Sequence, residues 1–84
     1  MILRFVSYSN PKGTRVITTV KNEKEAFKEI NKFLHEHRYK SYYTRTWNIE
    51  PNIKRHDVGS YTEFFDLELE EGENFGDEVG EENE

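Results

Sequence analysis

Residues 22–37 read NEKEAFKEINKFLHEH, and this stretch decides the fold. Ala26, Phe27, Ile30, Phe33, Leu34 and His37 recur at helical spacing and form one apolar stripe. Lys24, Lys28, Glu29, Lys32 and Glu36 are left to face water, with the mixed charge of an exposed helix surface. Asn22 is placed to accept from the first-turn amides, and Glu25 stands three residues on, as a capping box requires. The spacing predicts a helix over residues 23–37.

Upstream, residues 2–8 (ILRFVSY) and 14–20 (TRVITTV) are rich in β-branched and aromatic side chains. Between them Pro11 fixes φ and Gly13 permits a positive φ, so the pair predicts a β-hairpin. Downstream, residues 42–49 and 60–69 read as two more strands. Tyr61, Phe65, Leu67 and Leu69 alternate with Thr62, Phe64, Asp66 and Glu68, although Glu63 interrupts the row. Residues 50–52 form a turn, and residues 53–59 read as a loop or a poor edge strand. The expected fold is α+β, with the order β-β-α-β-β and one helix packed on a small antiparallel sheet.

Composition bounds what such a chain can do. Of its 84 residues 33% are hydrophobic and 35% charged, so the aromatics (six Phe, five Tyr and one Trp) must supply much of the core. So small a core leaves a folded monomer marginal, and a homodimer or a partner would add stability. There is no cysteine, which excludes disulfides and thiolate metal sites. The first residues lack the basic and apolar runs of a signal peptide, and no apolar stretch approaches the length of a membrane span. The expectation is a soluble protein of the cytoplasm.

Charge is unevenly spread. Residues 1–69 hold all twelve Lys and Arg against nine acids, whereas residues 70–84 hold eight acids and no base. The last fifteen residues have only Phe75 and Val79 as apolar anchors. The sequence therefore predicts a folded domain over residues 1–69 and a disordered acidic tail over residues 70–84. From Asp57 onward there are twelve acids and no base, so the last strand and tail form one anionic element. Asp66, Glu68 and Glu70 share a strand face at i, i+2 and i+4, about 6.6 Å apart. Glu63, Asp66, Glu68, Glu70, Glu71, Glu73, Asp77, Glu78, Glu81 and Glu82 are the candidate partner-binding residues. Two readings stand: a tail that raises solubility or folds back onto its own domain, and an anionic surface that occupies a cationic groove built for nucleic acid.

Other constellations are weaker. Arg38, Tyr39, Lys40, Tyr42, Tyr43, Arg45 and Trp47 interleave cations with rings, as single-stranded nucleic acid requires. Against that, Tyr43 and Trp47 fit a core face, with Tyr42 on the other side. His35 and His37 point apart on a helix and cannot share a metal, and His37 suits the helix end. His56, Asp57 and Ser60 have the letters of a catalytic triad without its geometry. No catalytic residue, metal or cofactor is assigned.

The Lys/Glu/Asn/Tyr-rich composition, small size, missing cysteine and acid-only C-terminus resemble the small early proteins of phages that infect Gram-positive bacteria. Some of those are DNA-mimic inhibitors that occupy the groove of a host protein, such as the histone-like protein HU, RNA polymerase or a CRISPR nuclease. The resemblance implies a non-enzymatic inhibitor in the host bacterial cytosol. Its partner would be a basic host nucleic-acid-binding protein, with no direct contact to nucleic acid or membrane. The alternative is a small single-stranded nucleic-acid-binding module using Arg38 to Trp47, autoinhibited by the tail.

Overall fold

Alternation along the first strand sends Leu3, Phe5 and Ser7 to one side. In the computed structural model, which describes residues 1–41 and 44–75, these three are buried while Ile2, Arg4 and Val6 are only half-covered. The elements are β1 (Ile2–Ser7), a 3-10 turn (Pro11–Gly13), β2 (Arg15–Thr19), α1 (Glu23–Glu36), β3 (Arg45–Glu50), β4 (Ile53–Asp57) and β5 (Glu63–Glu68). The five strands form one antiparallel sheet in the order β2-β1-β5-β4-β3. The fold is α+β, and the β-β-α-β-β succession is present with one strand added.

That strand is β4. Residues 53–57 (IKRHD) look too polar for a sheet interior, yet they lie between β3 and β5. Each charge meets a partner from elsewhere: Lys54 Nζ lies 3.3 Å from Glu23 Oε1, Arg55 pairs with Asp66, and Asp57 pairs with Arg45. The stretch is neither a loop nor an edge.

The helix begins as its sequence dictates. Asn22 Oδ1 accepts from the Glu25 amide at 2.8 Å, a contact worth about 1 kcal/mol. The reciprocal bond falls one residue earlier than in a capping box, because Glu25 Oε1 accepts from the Lys21 amide at 2.8 Å. At the other end His37 is the cap residue, stacked on Phe33, with Nδ1 3.0 Å from the Phe33 carbonyl. The Arg38 amide then donates to His35 O and the Tyr39 amide to Leu34 O. This is a Schellman turn, whose left-handed position is usually glycine. Here it is Arg38, at φ 59°. A side chain in that conformation costs roughly 1–2 kcal/mol.

Ala26, Ile30, Phe33 and Leu34 of α1 pack on Leu3, Phe5, Phe65 and Leu67 of the central strands. Phe33 meets Phe5 at 4.8 Å and Phe65 at 5.4 Å between ring centroids. The core also takes in Phe75, only 2% exposed, with Lys54 Nζ 4.7 Å from its ring centre. Residues 70–75 reach it through a turn at Gly72, whose φ of 85° suits glycine. Two contacts secure the turn: Glu73 Oε1 accepts from the Glu70 amide at 2.8 Å, and Glu73 Oε2 accepts from the N-terminal ammonium at 2.9 Å. The packed body therefore runs to Phe75 and not to Leu69. The buried Phe75 ring and the two Glu73 contacts together hold these six residues, so residues 70–75 are not part of a disordered tail. The rest of that predicted tail, residues 76–84, lies outside the described residues.

Candidate functional site

α1 covers one face of the sheet, and among the described residues no element covers the other. Strand register builds this open face directly. A row of cross-strand partners runs Val16, Arg4, Asp66, Arg55, Trp47 from one edge to the other. Phe64 and Val6 are paired in the neighbouring row, and Tyr8 and Arg45 lie on the same side.

Three rings dominate the face. Tyr8 stands 5.9 Å from Phe64, and Trp47 stands 6.4 Å from Phe64, both edge to face. Tyr8 is 58% exposed and Trp47 39%, with Val16 and Ile49 also exposed near the two edges. Trp47 is 39% exposed and not a core residue, because β3 is an edge strand and, among the described residues, no element packs over its open side. Arg55 lies 4.7 Å from the Phe64 ring centre and 5.3 Å from that of Tyr8, and Arg45 lies 5.6 Å from that of Trp47. The face thus interleaves guanidinium groups with rings.

Its charges are largely settled internally. Arg55 makes a forked ion pair with Asp66, Nε to Oδ1 at 2.8 Å and Nη2 to Oδ2 at 2.9 Å. The hydrogen bond to Asp66 outweighs burial and drives the Arg55 guanidinium pKa well above its ordinary value. Arg4 Nη2 meets Glu68 Oε1 at 3.2 Å, and Arg45 Nη2 meets Asp57 Oδ2 at 3.0 Å. The face presents apolar rings on a nearly neutral ground.

These pairings change the meaning of the acidic candidates. Asp66 and Glu68 share the open face, as their spacing predicts, but Asp66 is 7% exposed and both carry a cation. Glu63 points to the helix side, where Oε2 accepts from Ser7 and Ser9 and Oε1 from Ser60. Glu70 and Glu73 flank the N-terminal ammonium at 3.5 and 2.9 Å. The Glu70 amide, and then the ammonium, hold the Glu73 carboxyl below its usual pKa. Glu71 is exposed, and Asp77, Glu78, Glu81 and Glu82 lie outside the described residues. Over its described length the anionic element is therefore not continuous. In its strand portion Asp66 and Glu68 are neutralised by arginines distant in sequence.

The basic and aromatic segment is divided too. Arg38, Tyr39 and Lys40 stay on the helix side, Arg45 and Trp47 lie on the open face, and Tyr42 and Tyr43 are outside the described residues. His56 and Asp57 point to opposite faces: the His56 ring meets Phe27 beneath α1, and Asp57 meets Arg45. They cannot act together on Ser60. Among the described residues no group of three His, Asp or Glu is placed to hold a metal ion. No described helix is long and apolar enough to cross a membrane.

Tyr8 and Phe64 are strand residues by sequence, but nothing in their local pattern marks them as a functional pair. A partial signal lies in Phe64-Phe65, where adjacent strand positions are both aromatic and only one can face the helix. Compared with known proteins, the chain matches no family model, no curated sequence and no solved structure at a significant level.

Proposed function

We propose that this protein is a non-enzymatic binding module that docks on a basic protein partner through the open face of its sheet. The observation that carries this reading is the Tyr8–Phe64–Trp47 cluster, with Tyr8 and Trp47 exposed and Phe64 half-buried between them, on a face whose arginines already have carboxylate partners. Such a surface gains affinity by burying rings, and aromatic anchors dominate protein interfaces. The five acids among residues 76–84, with no base beside them, select a cationic partner and speed its approach. The nucleic-acid groove of a host DNA- or RNA-binding protein has the matching charge. Inhibition by occupying such a groove fits this scheme, with the chain beyond Phe75, and not β5, supplying the anionic element.

The test is capture from a bacterial lysate by the full chain, by Tyr8→Ala/Trp47→Ala and by a chain ending at Phe75. The ring variant should lose the partner at all salt concentrations. The shortened chain should keep it but associate more slowly, with a weaker salt dependence. A partner retained by the ring variant and lost with the acids overturns the face and restores a purely anionic mechanism.

A second reading draws on the same rings. Exposed aromatics beside guanidinium groups on an uncovered sheet suit the stacking of single-stranded bases. It is disfavoured by the internal ion pairs, which leave little positive charge for phosphates. Anisotropy with a labelled oligo-dT separates the two. Submicromolar binding abolished by Trp47→Ala would assign the face to nucleic acid, and self-association abolished by the same substitution would assign it to a second copy.

A further inference from the structure

On the helix side, a cleft of about 680 Å³ opens where the end of α1 meets the segment between β4 and β5. The volume falls within the roughly 300–1,000 Å³ of small-molecule sites. Buried Phe5, Leu34, Val58 and Phe65 form its floor. Arg38, Lys40 and Tyr61 stand at its rim, exposed. The sheet separates it from Tyr8, Phe64 and Trp47, so it is a second site, independent of the binding face.

Charge at the rim is unbalanced. Among the described residues, the Arg38 and Lys40 side chains have no ion pair and no hydrogen bond, in contrast to Arg4, Arg45 and Arg55 across the sheet. Among the described residues, the one acid on the wall is Glu63, whose oxygens are taken by the hydroxyls of Ser7, Ser9 and Ser60. Among the described residues, two cations against one hydroxyl-bound carboxylate give the cleft a net positive rim over an apolar floor.

Backbone conformation supplies the second observation. Glycine would take the φ of 59° at position 38 without strain, yet an arginine is held there, at the lip of the cleft. Strain retained under a charged side chain is the pattern of a functional position. We infer that the cleft binds a small anion with an apolar body, of the class of medium-chain or aromatic carboxylates. Its body lies on Phe5, Leu34, Val58 and Phe65, and Arg38 takes the anionic head with Lys40 beside it. Arg38 is kept in an unfavourable conformation because glycine has no guanidinium to offer.

The test sets stability against binding in one substitution. The full-length protein is titrated with 1-anilinonaphthalene-8-sulfonate, with octanoate and octylamine as competitors. Saturable one-to-one binding, displaced by octanoate and not by octylamine, is expected. Arg38→Gly should weaken octanoate binding about tenfold or more, as loss of a charge-assisted contact does. The same variant should raise the melting temperature by up to about 4 °C, because the relieved strain outweighs the unfolded-state freedom that glycine adds. Arg38→Asn, which also tolerates the conformation, should lose binding likewise, and Arg38→Lys should recover part of it. Amide shifts on octanoate addition should appear at Leu34, Val58 and Tyr61. Undiminished binding by Arg38→Gly, equal competition by octylamine, or shifts confined to Trp47 and Phe64 would each overturn the inference.

Discussion

Arg55 and Asp66 sit opposite each other on β4 and β5, and their two-pronged ion pair is roofed by Tyr8 and Phe64. Both side chains are close to nine-tenths buried. Breaking a pair this deep leaves a charge in a poor solvent, which typically costs 3–5 kcal/mol, or ~4 kcal/mol. Arg55→Ala should therefore destabilise strongly in urea denaturation, and Asp66→Asn by less. Arg55→Leu/Asp66→Leu should lie nearer the wild type than Arg55→Ala does. Equal, small losses in all three would show that the pair is solvated.

Phe75 fixes the extent of the folded body. Phe75→Ala should cost about 3–5 kcal/mol, the range for emptying a buried aromatic site. Amides in residues 70–75 should be protected from exchange in the wild type and lose that protection in the variant. Normal stability in the variant would mean that the ring does not hold the segment.

Glu73 ties the same segment to the N-terminus and makes it acid-sensitive. Its carboxyl is held below the ordinary value of 4.5 in the folded protein, so its ionised form favours folding. That contribution is complete above about pH 4.5 and is lost as the pH falls through the lower, folded value. Stability measured against pH should therefore fall more steeply on the acid side in the wild type than in Glu73→Gln. Parallel curves would remove Glu73 from the account.

Asn22 gives the cleanest local test. Asn22→Ala removes the acceptor of the Glu25 amide and should cost about 1 kcal/mol, whereas Asn22→Ser should be nearly neutral. A neutral alanine would show that the Glu25 contact to Lys21 suffices to start the helix.

How far the sequence could be read followed from whether each signal is local. The capped helix and the β1–β2 hairpin were legible because Asn22, the apolar stripe and the Pro11–Gly13 turn act within a few residues. β4 was not, because Lys54, Arg55 and Asp57 look solvent-bound until Glu23, Asp66 and Arg45 arrive from 31, 11 and 12 residues away. The same distance hid the neutralisation of Asp66 and Glu68. Periodicity places carboxylates on a face but is silent about the arginines of neighbouring strands. Trp47 was misplaced for a related reason: alternation tells which residues share a face, and not which face the single helix covers.

The middle of the sheet joins the first strand to the last, since residues 2–7 of β1 pair with residues 63–68 of β5. A ribosome adding ~5–20 residues per second needs roughly 3–12 s to travel from the first of these strands to the last. Until then Leu3 and Phe5 have a hairpin partner on one side and no Phe65 or Leu67 on the other. The hairpin and helix therefore emerge as an unfinished apolar surface, open to chaperones and to neighbouring nascent chains. The last strand to be made closes the sheet, so this small domain cannot complete its fold until residues 63–68 have left the ribosome.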